Sequence, residues 1–120
     1  MFAIQTRQKT DVLFESSAPL DALGFFTSPV MEVSGYAKIT ILAASDEPFG
    51  LNVEEAVSVE PDGTGNFVQT DPTIMASFVS GQWQIATTIK PFGKFMKMVL
   101  GNLGAPMAYL SFLAKGMPLP

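Results

Sequence analysis

The sequence contains neither cysteine nor histidine, and only 15% of its 120 residues are charged. Without cysteine the chain can form no disulfide bond and no thiolate metal site. Without histidine it lacks the most frequent general base and the most frequent ligand of transition metals. These absences exclude a disulfide-stabilised scaffold and a Ser-His-Asp triad, and they leave little metal chemistry open.

Charge and hydropathy narrow the class of protein further. A net charge of −4 argues against binding to nucleic-acid phosphates, and 48% hydrophobic residues exclude intrinsic disorder. Residues 98–114 are uncharged and approach the length of a membrane span, but Gly101, Asn102, Gly104 and Pro106 predict a turn in the middle. The first residues have no basic stretch before an apolar one, so we expect no signal peptide and no membrane segment.

Turn signals alternate with apolar runs of about five to ten residues, a spacing typical of an all-β sandwich or barrel. A single antiparallel β-sandwich over residues 31–120 is the predicted domain. Residues 1–30 are predicted to form an N-terminal arm and the first strands, at residues 10–14 and 23–27. The turn signals lie at residues 16–19, 28–29, 34–35, 45–50, 61–66, 71–72, 80–81, 91–93 and 101–104.

Alternation with a period of two predicts which faces of the strands are buried. In residues 51–60, Leu51, Val53, Val57 and Val59 share one face, and residues 83–89 alternate in the same way. Residues 36–44 and 109–114 are apolar on both faces, which predicts a cover on each side. One cover is the opposite sheet. The other is a neighbouring subunit or, alternatively, a loop or the N-terminal arm.

The charges are unevenly distributed along the chain. All 11 acidic residues precede residue 72, whereas residues 72–120 contain four lysines and no acid. One interpretation is that acidic and basic strands pair across a sheet, which would stabilise the fold only slightly. The alternative is a molecule with one acidic and one basic flank, suited to contacts between identical subunits.

No motif predicts catalysis, a cofactor or a metal site. Residues 62–66 offer oxygen atoms but lack the spacing of a calcium loop, and Asp62-Gly63 is a strong turn signal. Adjacent acids such as Glu54 and Glu55 point to opposite faces of a strand, so they cannot act as a facing acid and base. Aromatic faces such as that of Trp83 are suited to stacking on a sugar, but a lone Trp is more typical of a core or an interface.

Seven segments follow a pattern of strand, short polar turn, strand, Asp-Gly turn and aromatic residue, closed by two further strands. They are residues 34–41, Ser45-Asp46, residues 51–58, Asp62-Gly63, Asn66-Phe67, residues 95–102 and residues 110–116. Together they resemble the small β-sandwich virion proteins of tailed bacteriophages, over residues 34–116. The resemblance implies a jelly-roll-like fold and a structural, self-assembling or capsid-binding protein, and it carries over no catalytic residue.

The sequence therefore predicts a non-enzymatic capsid decoration protein, located in the virion and trimeric on the capsid. Its expected partners are copies of itself and the major capsid protein or another virion protein. The alternatives are a subunit of a helical tube, tail or extracellular filament, and a carbohydrate-binding module. The candidate interface residues are Tyr36, Leu42, Trp83, Lys90, Lys94, Lys97 and Tyr109.

Overall fold

The computed structural model describes residues 10–120, which form only strands, turns and loops. Eleven strands make two antiparallel sheets, which confirms the predicted all-β class. The strands are β1 (Asp11–Ser16), β2 (Phe25–Thr27), β3 (Met31–Glu32), β4 (Tyr36–Ser45), β5 (Phe49–Ala56), β6 (Val68–Gln69), β7 (Ile74–Met75), β8 (Ser77–Val79), β9 (Gln82–Ile89), β10 (Phe95–Asn102) and β11 (Leu110–Pro118).

The strands alternate between the two sheets along much of the chain. Sheet A has the order β1-β11-β4-β9-β8. Sheet B has the order β2-β10-β5-β6, with β3 also paired to β10 and β7 to β5. The described chain therefore crosses from one sheet to the other six times, after β1, β3, β4, β7, β9 and β10.

One apolar core lies between the sheets. Ile39 and Ile41 of β4 are fully buried and alternate with outward-facing residues, as the period of two predicts. Met98 and Leu100 of β10 face them from sheet B and are also fully buried. β-Branched and long apolar side chains at every second position thus give each sheet one face that water does not reach.

The predicted N-terminal arm and first strands are part of this sandwich from residue 11 onward. Strand β1 pairs with β11, and β2 pairs with β10. Phe14 and Phe26 contact each other and Phe112, with ring centroids 5.4–5.9 Å apart. Residues 1–9, where the arm itself was predicted, lie outside the described residues, so the arm stays a prediction.

The strand predicted at residues 51–60 extends too far at its C-terminal end. Strand β5 ends at Ala56, and Val57, which was expected to face inward, is 80% exposed. The last inward position is occupied by Glu55, which lies opposite the fully buried Met96. The Glu55 carboxylate can be buried there because it accepts hydrogen bonds from backbone N–H groups, which an apolar side chain cannot do.

Two predicted turns are confirmed, each with a glycine at positive φ. Gly63 has a φ of 87° and follows Asp62, whose Oδ1 accepts hydrogen bonds from Thr64 N and Oγ1. Ser80 and Gly81 both have positive φ, as the tight turn between β8 and β9 requires. The Asp62-Gly63 turn, however, lies in a loop that contains only the isolated bridge Val59–Gly65, and it does not join two long strands.

Asn102 connects two loops at one end of the sandwich. It is 2% exposed, and its Nδ2 donates to the carbonyl oxygens of Asp21 at 2.9 Å and Ala105 at 2.8 Å. Its Oδ1 accepts a hydrogen bond from Gly104 N at 2.9 Å. One side chain therefore satisfies backbone groups of both the β1–β2 and the β10–β11 connections.

Replacing Asn102 with alanine should remove the hydrogen-bond partner of these partly buried backbone groups. We expect Asn102→Ala to lower the free energy of unfolding by about 3 kcal/mol. Urea unfolding followed by tryptophan fluorescence would measure it, with the exposed Asn66→Ala as the matched control. Equal unfolding midpoints for the two variants would contradict a stabilising role for Asn102.

Candidate interaction surface

The outer face of sheet A has a centre of small, uncharged side chains. Leu42, in the middle of β4, is 46% exposed, and the register places it between Leu113 of β11 and Ala86 of β9. The next row toward the end of β4 contains Ser111, Ala44, Gln84 and Ser77. The apolar second face predicted for residues 36–44 is therefore present, and Leu42 is left exposed by the described chain.

The two edges of sheet A differ in their chemistry. Strand β1 carries Asp11 and Glu15 and has an irregularity in its register near residue 13. Charges and bulges of this kind hinder pairing with another strand. Strand β8 has neither, and its Phe78 and Val79 are 62% and 48% exposed. No charged residue occurs between Asp71 and Lys90, so the β8 edge and its neighbour β9 are both uncharged.

Leu42 and Tyr109 are the two predicted interface residues that lie on or beside this face. Tyr109 immediately precedes β11 and is 42% exposed. Its hydroxyl donates a 3.0 Å hydrogen bond to Oε1 of Gln82, the first residue of β9. The ring is thereby held at the end of the uncharged centre of sheet A.

Trp83 and Tyr36 are instead turned toward the interior. Trp83 is partly buried against the core, and its ring lies 5.4 Å from the more exposed ring of Phe78. Tyr36 also packs against the core, and a β-carbon added to Gly116 would overlap its ring. For Trp83 this agrees with the alternation of residues 83–89, which puts it on one face with Ile85 and Ile89, whereas the inward position of Tyr36 was not predicted.

The three lysines predicted at the interface lie elsewhere. Lys90 is exposed just after β9, and Lys94 precedes β10 with its Nζ 5.8 Å from the Phe95 ring centroid. Lys97 lies opposite Glu54 in sheet B, with its Nζ 4.3 Å from the Phe67 centroid. Opposite charges therefore meet on one sheet at this point, and the seven candidates do not form one patch.

Sequence patterns missed three polar side chains that hold loops in place. Besides Asn102, Asp46 accepts a 3.0 Å hydrogen bond from Ala108 N through its Oδ1. Ser45 is fully buried, and its hydroxyl donates a 2.9 Å hydrogen bond to the carbonyl oxygen of Tyr109. The partners of Asp46 and Ser45 are distant in sequence, as is Asp21 among the partners of Asn102, so the only available signal was a polar residue at the end of a strongly apolar strand.

Neither a metal centre nor a membrane helix is found between residues 10 and 120. That part of the chain brings no three acidic side chains together in a way that could hold a metal ion. It also contains no helix with the length and apolar character needed to cross a membrane.

Asp62 is bonded within its own turn, where the hydrogen bonds from Thr64 lower the pKa of its carboxyl.

The contact between Tyr36 and Asp11 predicts a dependence of stability on alkaline pH. The Tyr36 hydroxyl donates a 2.9 Å hydrogen bond to Asp11, and this bond, with burial and the Asp11 charge, raises the pKa of Tyr36 above 10.0. The folded chain therefore holds the proton more tightly than the unfolded chain. The resulting stabilisation is complete below the unfolded pKa and is lost as the pH rises through the folded value.

Tyr36→Phe should remove this alkaline component of the free energy of unfolding. Urea unfolding between about pH 8 and pH 11 would measure it. Tyr109→Phe is the matched control, because the Tyr109 hydroxyl donates to the neutral Gln82 amide. A loss of stability above pH 10 that is as steep in Tyr36→Phe as in the native chain would contradict the assignment.

The chain matches no model of a known protein family, and no curated protein is significantly similar to it in sequence. Inference about its function therefore depends on the fold and on the surface described above.

Proposed function

We propose that the protein is a non-enzymatic structural subunit, a capsid decoration protein of a tailed bacteriophage, which associates with copies of itself and with the capsid. The observation that carries this proposal is the uncharged centre of the outer face of sheet A. Interfaces between proteins are depleted of charge at their centres, and contiguous exposed apolar patches on small proteins often have a binding role.

The strand order supports a jelly-roll-like assignment. Four strand pairs are nested along the chain, so that the first strand pairs with the last and the innermost strands pair with each other. They are β1–β11, β2–β10, β4–β9 and β5–β6. A long antiparallel ribbon rolled into two sheets has this pairing, which contains the two Greek keys of a jelly roll. Jelly rolls occur in viral capsid proteins and in lectins.

Stable association through this face would need an interface of ordinary size. A stable interface buries about 800 Å² on each partner. If about half of that area is apolar, its burial contributes a favourable free energy of about 10 kcal/mol per partner, before the cost of association is subtracted. Leu42, Leu113 and Ala86 supply an apolar centre, and the surrounding hydroxyl and amide groups can form the polar rim.

Two observations keep the alternatives open. The unlike edges of sheet A, acidic at β1 and uncharged at β8, would also suit the head-to-tail contacts of a tube, tail or filament. The exposed ring of Phe78 beside Trp83 would suit a carbohydrate-binding module better than Trp83 alone. Both alternatives predict that a different surface is needed for binding.

A charge at the centre of sheet A should prevent association. We expect Leu42→Glu to weaken self-association or capsid binding at least tenfold, because the interface would have to bury an unpaired carboxylate. Sedimentation velocity would measure self-association, and co-sedimentation with capsids would measure binding. Leu23→Glu is the matched control, since Leu23 is 79% exposed in the β1–β2 connection. Equal behaviour of both variants would contradict the proposed face.

Association driven by apolar burial should tolerate salt. We expect it to persist at about 1 M NaCl, where charge attraction between exposed groups is screened within about 3 Å. A salt series in sedimentation velocity would test this. A protein that remains monomeric at high concentration and low salt, and that binds no capsid, would contradict the assembly proposal and favour carbohydrate binding.

A further inference from the structure

A cleft of about 240 Å³ lies beside the end of β5, on the side of β6. Its walls are mostly apolar, and the β9–β10 connection covers one side of it. The lining residues include Glu55, Val57, Val68, Thr70, Phe92 and Gly93.

Glu55 is buried at this cleft with only one of its two oxygen atoms paired. The residue is 3% exposed, and its Oε1 accepts hydrogen bonds from Phe92 N at 2.8 Å and Gly93 N at 3.0 Å. Its Oε2 is buried and has no partner. A buried carboxylate oxygen without a donor is unfavourable, because it has lost its hydration and gained nothing in return.

Thr70 lines the same cleft and also has a buried oxygen atom without a hydrogen-bond partner. Its Oγ1 is buried without a partner, and within residues 10–120 these two oxygens are the only buried side-chain atoms of this kind. Glu55 lies opposite Val68, and Thr70 N donates to Val53 O. Glu55 and Thr70 are therefore diagonal neighbours on one face of the β5–β6 pair, where such side chains come within reach of each other.

The unpaired oxygens of Glu55 and Thr70, beside the apolar walls of the cleft, are suited to a ligand that has a hydrogen-bond donor group attached to an apolar chain. A cation complements a carboxylate better than a neutral donor does, because its charge also offsets the cost of burial. The nearby Lys94 and Lys97 place their ammonium groups over the rings of Phe95 and Phe67. Neither lysine is among the residues that line the cleft.

We propose that this cleft binds a primary alkylammonium group. The ammonium donates to Glu55 Oε2 and Thr70 Oγ1, and the alkyl chain lies along Val57, Val68 and Phe92. These three residues are 80%, 63% and 75% exposed, so little packing holds their side chains. Rotamer changes of exposed side chains are fast, and they would open a path to the two buried oxygens.

Titration of the isotope-labelled chain with n-butylammonium chloride, followed by NMR, tests the proposal. We expect shifts centred on the amides of Phe92 and Gly93, which donate to the same carboxylate, and on Thr70. Butan-1-ol is the uncharged control, and sodium chloride controls for ionic strength. No saturable shift at these amides, or an equal response to butan-1-ol, would overturn the proposal.

Two variants make the test specific. Glu55→Gln keeps an oxygen for Phe92 and Gly93 and removes the charge, and it should weaken butylammonium binding at least tenfold. Glu54→Gln is the matched control on the opposite face of β5. Equal weakening by both variants would show general charge attraction and overturn the site. Val57→Trp, which fills the cleft from an exposed position, should also abolish binding and does not depend on how well Glu55→Gln folds.

The primary alkylammonium group bound in the cleft could belong to a free amine or to a lysine side chain of a second copy of this chain. Binding of Nα-acetyl-lysine methylamide as tight as that of butylammonium, with weaker self-association of Glu55→Gln in sedimentation velocity, would assign the cleft to a lysine of a second copy. Loss of butylammonium binding in Glu55→Gln with unchanged self-association would assign it to a free amine.

Discussion

The structure depends on the burial of one face of each sheet in a single shared core. A chain of 120 residues can cover the inner faces of two sheets, here with Ile39 and Ile41 facing Met98 and Leu100, but it has little left to cover the outer faces. Part of the second face of the sheets is therefore left exposed. On β4 that second face contains Leu42, and this is the origin of the exposed apolar centre of sheet A.

The shared core also forces the chain to cross repeatedly between the sheets, and each crossing carries backbone groups that need partners. One polar side chain serves each of three crossings. Asp46 follows β4 and binds the segment before β11, and Glu55 of β5 binds the β9–β10 crossing. Asn102 ends β10 and binds the β10–β11 crossing together with the β1–β2 connection. Apart from the bond between Asn102 and Ala105, these contacts join segments that are distant in sequence, so they hold different connections of the sandwich together.

The sequence predicts the strands well because their pattern is local. Alternation at residues 36–44 and 83–89 reflects the pleat itself, and β4 and β9 form where it occurs. The same reasoning fails at Glu55, because residues 51–60 continue to alternate after the strand has ended at Ala56. Only the distant Phe92 and Gly93 amides decide that a carboxylate is the last inward side chain. Local alternation also places Trp83 on the same face as the buried Ile85 and Ile89, whereas the interface prediction took no account of that face.

The pairing of strands also changes the meaning of the uneven charge along the chain. The acidic β5 and the lysine-bearing β10 are distant in sequence but adjacent in sheet B, where Glu54 lies opposite Lys97. The separation of acids from lysines along the sequence therefore becomes close proximity in the fold. Uncharged side chains remain together only in the middle of the outer face of sheet A, where Leu113, Leu42 and Ala86 lie side by side. Glu15 lies opposite Leu113 and Lys115 lies opposite Thr40, so charged residues flank this apolar centre. The specificity of an interface on that face would come from its shape and from the polar and charged groups around Leu42.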